Sequence, residues 1–252
     1  MIEEEALQGG DANAGRVVRV GGTVRRPTGP HSPAVHALLR HFEAVGFEGA
    51  SRFLGFDEEG REILTYVEGA PALPPVPAED EVVVALARLV RRMHDAQAGF
   101  DHPGPWFRPS HGEVVCFVDY FPPNIIFRDG LPVALIDWDL AGPGDRAADV
   151  TSLALWWAPL RPDAEAEKWG LPTDRRGERL RAICDAYGLE AREDLLERAV
   201  TQRRGGYELH RRLGLEEQRP GWKEMWDRGS GEVALAGIRW LEVHRGELEA
   251  WL

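Results

Sequence analysis

The stretch VVCFVDYFPPNIIFRDGLPVALIDWD, residues 114–139, decides how this chain is expected to fold. Near its middle stands Asp129-Gly130, a two-residue sequence that strongly favours a tight hairpin turn. The apolar runs on either side of the turn, residues 125–128 and 131–136, are therefore predicted to pair as antiparallel strands. The stretch predicts a β-hairpin whose two ends meet away from the turn.

Polar side chains stand at the open end of this predicted hairpin. Asn124 precedes the first strand and Asp137 follows the second, so pairing of the strands brings the two together. Asp119 ends the preceding apolar strand, and the Pro122-Pro123 turn is suited to folding it back toward the same point. Three oxygen-bearing side chains are thus predicted to share one small region.

These three residue types suit phosphoryl transfer. Mg²⁺ prefers oxygen ligands and usually takes one or two from the protein, with substrate phosphates and water completing the set, a role that Asn124 and Asp137 could fill. Phosphoryl transfer asks little covalent work of a protein beyond orienting a substrate hydroxyl and accepting its proton, which fits Asp119. The set is typical of a kinase.

Composition excludes several other classes. The 252 residues are 43% hydrophobic and 29% charged, which is the balance of a globular protein large enough for one domain or two lobes. A net charge of −12 argues against nucleic acid as a partner, because phosphate binding needs a basic surface, and leaves a cationic small molecule as one option. Cys116 and Cys184 lack the spacing of a disulfide framework or a zinc site.

The first residues of the sequence do not predict a secretory signal. Glu3-Glu4-Glu5 is acidic where such a signal needs positive charge, and no apolar run approaches ~18 residues. We therefore expect a soluble, cytoplasmic protein with no membrane partner.

The first quarter of the chain alternates strands with one helix. Four runs rich in β-forming residues are predicted as antiparallel strands. A Gly21-Gly22 turn joins the first two runs, and an amphipathic helix lies between the second and the third. The helix is predicted to begin at an N-cap Ser32 and to carry Val45 on its apolar stripe. The runs are residues 16–20, 23–26, 51–56 and 62–67.

A proline-rich connector then separates two parts of the chain. Residues 69–78 break all periodicity, so we predict an N-terminal lobe over residues 1–68, this connector as a hinge, and a mainly helical lobe over residues 79–252. In the second lobe, apolar residues at helical spacing predict helices near residues 79–98, 174–187, 191–214 and 231–252.

The motifs resemble those of a known family. Asp119-x-x-Pro122-x-Asn124, Leu135-Ile136-Asp137-Trp138-Asp139 and Gly144-Asp145-x-x-x-Asp149 are similar to the motifs of the aminoglycoside phosphotransferase family, which includes choline-kinase-like enzymes, and more distantly to the protein-kinase catalytic and metal loops. The resemblance implies an α+β, protein-kinase-like two-lobe fold with a small antiparallel-sheet lobe. It implies ATP or GTP with Mg²⁺, and a small-molecule hydroxyl as acceptor.

The same resemblance assigns roles to individual residues. It implies Asp119 as the catalytic base, Asn124 and Asp137 as metal ligands, and Asp149 as a buried brace of the catalytic loop. Tyr66 and Val67 stand where the family binds adenine through backbone groups. We accordingly expect a nucleotide beside the connector.

One position departs from the family pattern. The family has His two residues before its catalytic Asp, and this chain has Phe117 there. Aligning the loop on His111-Gly112-Glu113 instead would put Val118 at the metal-binding Asn position, so that alignment is rejected. An apolar ring at position 117 leaves two hypotheses, an active phosphotransferase and a catalytically silent nucleotide-binding or regulatory module.

The phosphate-gripping Lys of the family also has no exact counterpart. An Arg can replace it because its planar fork matches phosphate oxygens; strand alternation favours Arg26 for the cleft, with Arg25 as the fallback. The glycine-rich segment around Gly10 is suited to covering a phosphate chain. The helix Glu that usually pairs with the Lys is replaced near His36.

The acceptor is not defined by the sequence. Aminoglycosides, choline-like amines, amino-acid alcohols, sugars and nucleosides all stay open, and the oligomeric state is not predicted. Several tryptophans in the helical part suit either core packing or a platform for a sugar or cation, and packing is the favoured interpretation. They are Trp156, Trp157, Trp222, Trp226 and Trp240.

Overall fold

A five-stranded antiparallel sheet forms the N-terminal part of the chain, whose computed structural model describes residues 4–7, 16–101 and 103–252. Its strand order is β1-β2-β3-β5-β4, and every neighbouring pair is antiparallel. The predicted hairpin around Gly21-Gly22 is confirmed, with Gly21 at a φ of +58° in the turn. The strands are β1 (Glu5–Ala6), β2 (Val18–Val20), β3 (Thr23–Arg26), β4 (Phe53–Phe56) and β5 (Glu62–Thr65).

Helix α1 (Ser32–Ala44) lies between β3 and β4, as predicted, but its ends differ from the prediction. Ser32 is not the N-cap: His31 holds that position, and the Ser32 hydroxyl instead accepts the Gly29 N–H at 2.9 Å. Val45 lies beyond the last turn and is 50% exposed, because the helix ends before the position would join the apolar stripe.

The connector is partly ordered as a strand rather than fully irregular. Strand β6 (Ala70–Pro71) pairs with β8 (Ile125–Arg128), which pairs in turn with β9 (Leu131–Leu135). Pro71 is tolerated because β6 is an edge strand, where one missing N–H breaks no interior ladder. Residues 70–71 are thereby fixed to the hairpin that carries Asn124 and Asp137.

The remainder is mainly helical, with one small ribbon formed by β7 (Val114–Cys116) and β10 (Gly142–Gly144). Helix α3 was not predicted as a separate element, because most of its faces are buried and it shows no amphipathic stripe. A π-helical segment, Arg211–Glu216, extends α6. The helices are α2 (Asp80–Asp95), α3 (Arg146–Trp157), α4 (Asp163–Glu167), α5 (Arg176–Tyr187), α6 (Leu195–His210), α7 (Trp222–Asp227) and α8 (Ser230–Glu249).

One hydrophobic core joins these elements. It runs from the buried face of α1 through α2 to α3 and α5, with Phe42, Leu86, Trp157 and Leu180 all fully or almost fully buried. Across the described ranges, none of the helices combines the length and the apolar character needed to span a bilayer. Strand β9 packs against α2, and its residue Leu135 forms an isolated bridge with Ala50 of the N-terminal part, so the β8–β9 hairpin contacts both parts of the chain.

Candidate active site

The β8–β9 hairpin has the geometry that its turn predicts. Asp129 and Gly130 both take positive φ angles, 51° and 80°, as a tight two-residue turn requires. At the other end, Ile136 N–H donates to the Asn124 carbonyl at 2.9 Å. Asn124 and Asp137 are therefore held at the same end of one hairpin.

Asp119 joins them through the short turn that separates it from β8. Residues Pro122–Asn124 form a 3₁₀ turn, and the Asn124 side-chain amide donates to the Asp119 carboxylate at 2.9 Å and to its carbonyl at 3.2 Å. The predicted convergence of Asp119 with Asn124 at the end of the hairpin is thus present in the structure. Because the amide nitrogen is used in this way, the amide oxygen of Asn124 is left to accept or ligate on its other side.

The environment of Asp119 alters its acidity. Burial, followed by the negative charge of Asp137, raises the pKa of Asp119 to about 6. The Phe121 N–H, the Asn124 amide and the charge of Arg108 oppose this rise. The carboxylate is still ionised at neutral pH, and a pKa closer to neutrality makes it a stronger proton acceptor than an ordinary Asp.

Two non-glycine residues of this region adopt left-handed backbone conformations. Val118 has a φ of +68°, with the Asp119 N–H donating to the Phe117 carbonyl at 2.8 Å across it, and Asp137 has a φ of +65°. For a β-branched residue such as Val118 this conformation costs free energy, on the order of 1–3 kcal/mol, so surrounding contacts have to hold it. One of these residues directly precedes Asp119, and the other is the predicted metal ligand Asp137 itself.

Asp149 supplies those contacts. Its carboxylate is fully buried and accepts the N–H groups of Phe117 (3.0 Å) and Val118 (2.8 Å). The Tyr120 hydroxyl donates to it at 2.8 Å, and His94 Nε2 lies 3.0 Å away. The brace implied for Asp149 by the family resemblance is therefore present, with His94 and Tyr120 as partners that the sequence did not identify.

Phe117 fills a core position beneath the loop. Its ring is fully buried and lies edge-on to the rings of Tyr120, at 5.2 Å, and Trp138, at 4.9 Å. Trp138 lies 5.5 Å from Phe42 on α1. The three rings of Phe42, Trp138 and Phe117, here called the aromatic column, connect the helix of the N-terminal part with the loop of Asp119.

Arg26 projects from β3 into a cluster of carboxylates. Its guanidinium lies 3.0 Å from the Asp137 carboxylate and also contacts Asp139 and Glu62. Burial lowers the pKa of Arg26, but the charges of Asp139, Asp137 and Glu62 outweigh burial and raise it, so the side chain is fixed as a cation. Arg26 thereby links the N-terminal sheet to the end of the β8–β9 hairpin.

Glu62 was missed by sequence reasoning. It lies on β5 directly opposite Arg26, is 1% exposed, and also contacts His36 of α1. Arg26 is thus paired with a carboxylate on a neighbouring strand, and that carboxylate also contacts α1 through His36. Opposite charges across two paired strands are a recognisable signal, but only once the pairing of β3 with β5 is known.

Three other residues predicted to bind the nucleotide, Arg25, Tyr66 and Val67, make their contacts outside this cluster. Arg25 bonds to Thr23 Oγ1 at 2.6 Å and lies 3.9 Å from Asp57, so it does not join Asp137. Tyr66 lies under the Arg19 guanidinium at 3.7 Å and its N–H donates to the Gly22 carbonyl; Val67 follows it, half-buried. Gly10 lies outside the described residues.

Comparison with known proteins identifies the chain. A model of the family "APH: Phosphotransferase enzyme family" matches residues 105–196, the part that contains the Asp119 loop, the hairpin and Asp149. A trifolitoxin immunity protein from Rhizobium leguminosarum bv. trifolii is 40% identical over an alignment of 206 residues, and the match covers 77% of each chain. The chain belongs to the phosphotransferase enzyme family.

Solved structures agree on the fold. Choline kinase LicA from Streptococcus pneumoniae superposes with a TM-score of 0.62 at 14% identity, over 96% of this chain and 93% of the kinase. The macrolide 2′-phosphotransferase MphH from Brachybacterium faecium gives 0.56 at 14% identity, over 94% and 91%. The predicted α+β, protein-kinase-like fold is confirmed, as is membership of a phosphotransferase family; the lobe limits at 68 and 78 stay a prediction.

Proposed function

We propose that this protein is an ATP-dependent phosphotransferase that acts on the hydroxyl group of a small molecule. The observation that carries the proposal is the hydrogen bond from the Asn124 amide to the Asp119 carboxylate. Asn124 and Asp137 lie at the same end of the β8–β9 hairpin, so the bond brings Asp119 to that end as well. A proton acceptor and two oxygen ligands in this arrangement suit phosphoryl transfer, where positioning and charge neutralisation supply most of the catalysis.

In the proposed reaction Asp119 orients the acceptor hydroxyl and takes its proton. The acceptor oxygen forms a bond to the γ-phosphorus while the bond from that phosphorus to the bridging oxygen breaks. ADP leaves with the bridging oxygen and its electron pair, and the phosphorylated acceptor remains. The raised pKa of Asp119, about 6, favours this proton transfer near neutral pH.

Asn124 and Asp137 are the proposed magnesium ligands, and their donor set fits the ion. Only oxygen donors are needed for Mg²⁺, and two from the protein suffice when phosphates and water complete the octahedron. Among residues 4–7, 16–101 and 103–252 no three His, Cys, Asp or Glu side chains form a metal cage, so the nucleotide would have to contribute ligands. When bound, the ion would neutralise charge on the phosphates.

The nucleotide phosphates are proposed to lie beside Arg26, which was favoured over Arg25, with the segment around Gly10 above them. Tyr66 and Val67 are proposed to border the base. Nucleotide use is supported by relatives of the same fold: LicA has been solved in complex with AMP, and aminoglycoside 2′-phosphotransferase-IIIa with GDP. ATP and GTP are both compatible with these contacts.

The test of this proposal is stabilisation by nucleotide. ATP with Mg²⁺ at about one hundred times its Kd should stabilise the fold by about 2.7 kcal/mol, or roughly 5–10 °C in Tm. Asp137→Ala should abolish the magnesium-dependent shift, whereas Asp174→Ala, at an exposed loop position, should retain it. Differential scanning fluorimetry measures both, and absence of any shift at millimolar ATP would rule out the proposal.

Phe117→His tests the alternative of a catalytically silent module. The Phe117 ring is buried between Tyr120 and Trp138, and Asp149 already holds the loop backbone. We expect the variant to change turnover by less than about twofold and to lose about 1–2 kcal/mol of stability, because it buries a polar ring. A large gain in γ-phosphate transfer would instead indicate that the native loop is catalytically impaired.

A second candidate function is protection against a toxin. It is favoured by the 40% identity to the trifolitoxin immunity protein over 77% of both chains. The two candidates are compatible, since protection can come from phosphorylation of a toxin or from binding it without chemistry. The Asp119→Asn variant considered below separates these routes.

A further inference from the structure

Three aromatic side chains lie beside the catalytic loop. Phe121, two residues after Asp119, approaches Trp156 of α3 at 5.1 Å and Trp169 at 4.9 Å between ring centroids. The two tryptophans meet edge to face at 5.9 Å. All three are half-buried, so part of each ring faces solvent next to the proposed acceptor position. We call them the aromatic trio.

An arginine covers one ring of the trio. The Arg161 guanidinium lies 3.5 Å from the centre of the Trp156 ring, and the residue is only 6% exposed. Its Nη2 donates to the Leu155 carbonyl at 3.0 Å, but its buried Nε has no hydrogen-bond partner in the described part of the chain. A cation has therefore been taken out of water with its hydrogen-bonding capacity incompletely used.

A second arginine stands next to the first. Arg203 of α6 has a long hydrogen bond, 3.4 Å, to the Leu160 carbonyl, and its buried Nε likewise has no partner among the described residues. Burial, and then the charge of Arg203, lower the pKa of Arg161 well below its usual value; burial lowers the pKa of Arg203 to about 10. Arginine keeps its charge in proteins, so the two neighbouring guanidinium groups repel each other.

These two arginines lack the carboxylates that surround Arg26. Carboxylates are abundant in this chain, with 42 acidic residues against 30 basic ones. The single side chain of Arg26 contacts three of them. No ion pair joins Arg161 or Arg203 to a carboxylate of the described ranges, and the nearby Glu165 is bonded to Lys168 at 2.6 Å. A buried charge without an opposite charge is unfavourable, so an anion from outside the chain would complete this site.

We infer that the acceptor carries an anionic group, a carboxylate or a phosphate, which binds at Arg161 and Arg203 while its apolar part packs on the aromatic trio. This inference rests on the proposed phosphotransferase function and names the class of its acceptor. A cationic acceptor, which the net charge of −12 leaves open, is opposed here by two guanidinium groups at the wall where it would bind.

Three probes of similar size that carry different charges test the inference. Para-hydroxymethylbenzoate, para-benzenedimethanol and para-aminomethylbenzyl alcohol share one aromatic ring and one hydroxymethyl group, and carry a negative, a neutral and a positive second substituent. Isothermal titration of the wild-type protein should rank their affinities in that order, with the benzoate at least about tenfold tighter than the diol, or 1.4 kcal/mol. Equal affinities, or tightest binding of the amine, would overturn the inference.

Substitution locates the site. Arg203→Gln should remove the advantage of the benzoate over the diol, whereas Arg204→Gln, the next residue of α6 but exposed and paired with Glu242, should keep it. Loss of the advantage in both variants, or in neither, would contradict binding at Arg203. The ATP·Mg²⁺ shift in Tm is recorded on the same samples: its presence shows a folded protein, and its absence in the wild type defeats the proposed function rather than the anion site.

Discussion

Replacement of Asp119 by Asn is expected to reduce phosphate transfer by about 10²–10⁴-fold while leaving ATP affinity within about twofold. Asn has nearly the same shape and can still accept the hydrogen bond that Asn124 now donates to Asp119 Oδ2, but it cannot take a proton from the acceptor. The loss should therefore appear in kcat, measured by transfer of labelled γ-phosphate. The ATP·Mg²⁺ shift in Tm should persist.

The control and the contrary result are both accessible. Asp101→Asn changes an exposed carboxylate after α2 and should leave transfer unaffected. Transfer by Asp119→Asn at the wild-type rate would remove the proposed base. If the wild type protects trifolitoxin-sensitive cells, the same variant distinguishes phosphorylation from sequestration, because protection that survives the substitution depends on binding alone.

The second large effect is expected on stability, from Asp149→Ala. Two backbone N–H groups, the Tyr120 hydroxyl and His94 all meet this carboxylate in a fully buried position, so its removal leaves several buried polar groups without a partner. Breaking one partner of such a buried network costs about 3–5 kcal/mol. The free energy of unfolding in urea measures the loss.

Asp145→Ala is the matched control for Asp149→Ala. Asp145 precedes α3 and is exposed; its side chain accepts the Ala148 N–H at 2.6 Å as an N-cap. Loss of an exposed cap costs about 1 kcal/mol. A loss for Asp149→Ala no greater than that of the control would show that the loop does not depend on the buried carboxylate.

The parts of the fold and site that the sequence predicts correctly depend on local signals. Asp129-Gly130 has few alternatives to a tight turn, and the turn fixes the register that brings Asn124 and Asp137 together. The Gly21-Gly22 hairpin follows for the same reason. In these cases a few neighbouring residues determine the geometry.

The missed features depend on contacts between distant segments. Glu62 faces Arg26 only because β3 pairs with β5 across an intervening helix and strand, and no local pattern specifies that pairing. Helix α3 is buried on most sides, so the periodicity that reveals a surface helix is absent. Likewise, Arg161 and Arg203 are 42 positions apart, and their missing counter-charges become visible only when the chain is folded.

The aromatic column has a consequence for how this protein tolerates change. Phe42 belongs to α1 and contacts Trp138, which in turn contacts Phe117. The Phe117 N–H donates a hydrogen bond to Asp149. A substitution that changes the volume of the side chain at position 42 would therefore displace Trp138 and, through it, the peptide next to the proposed base. Position 42 is accordingly expected to tolerate substitution poorly, because repacking of α1 against Trp138 would move the loop that holds Asp119.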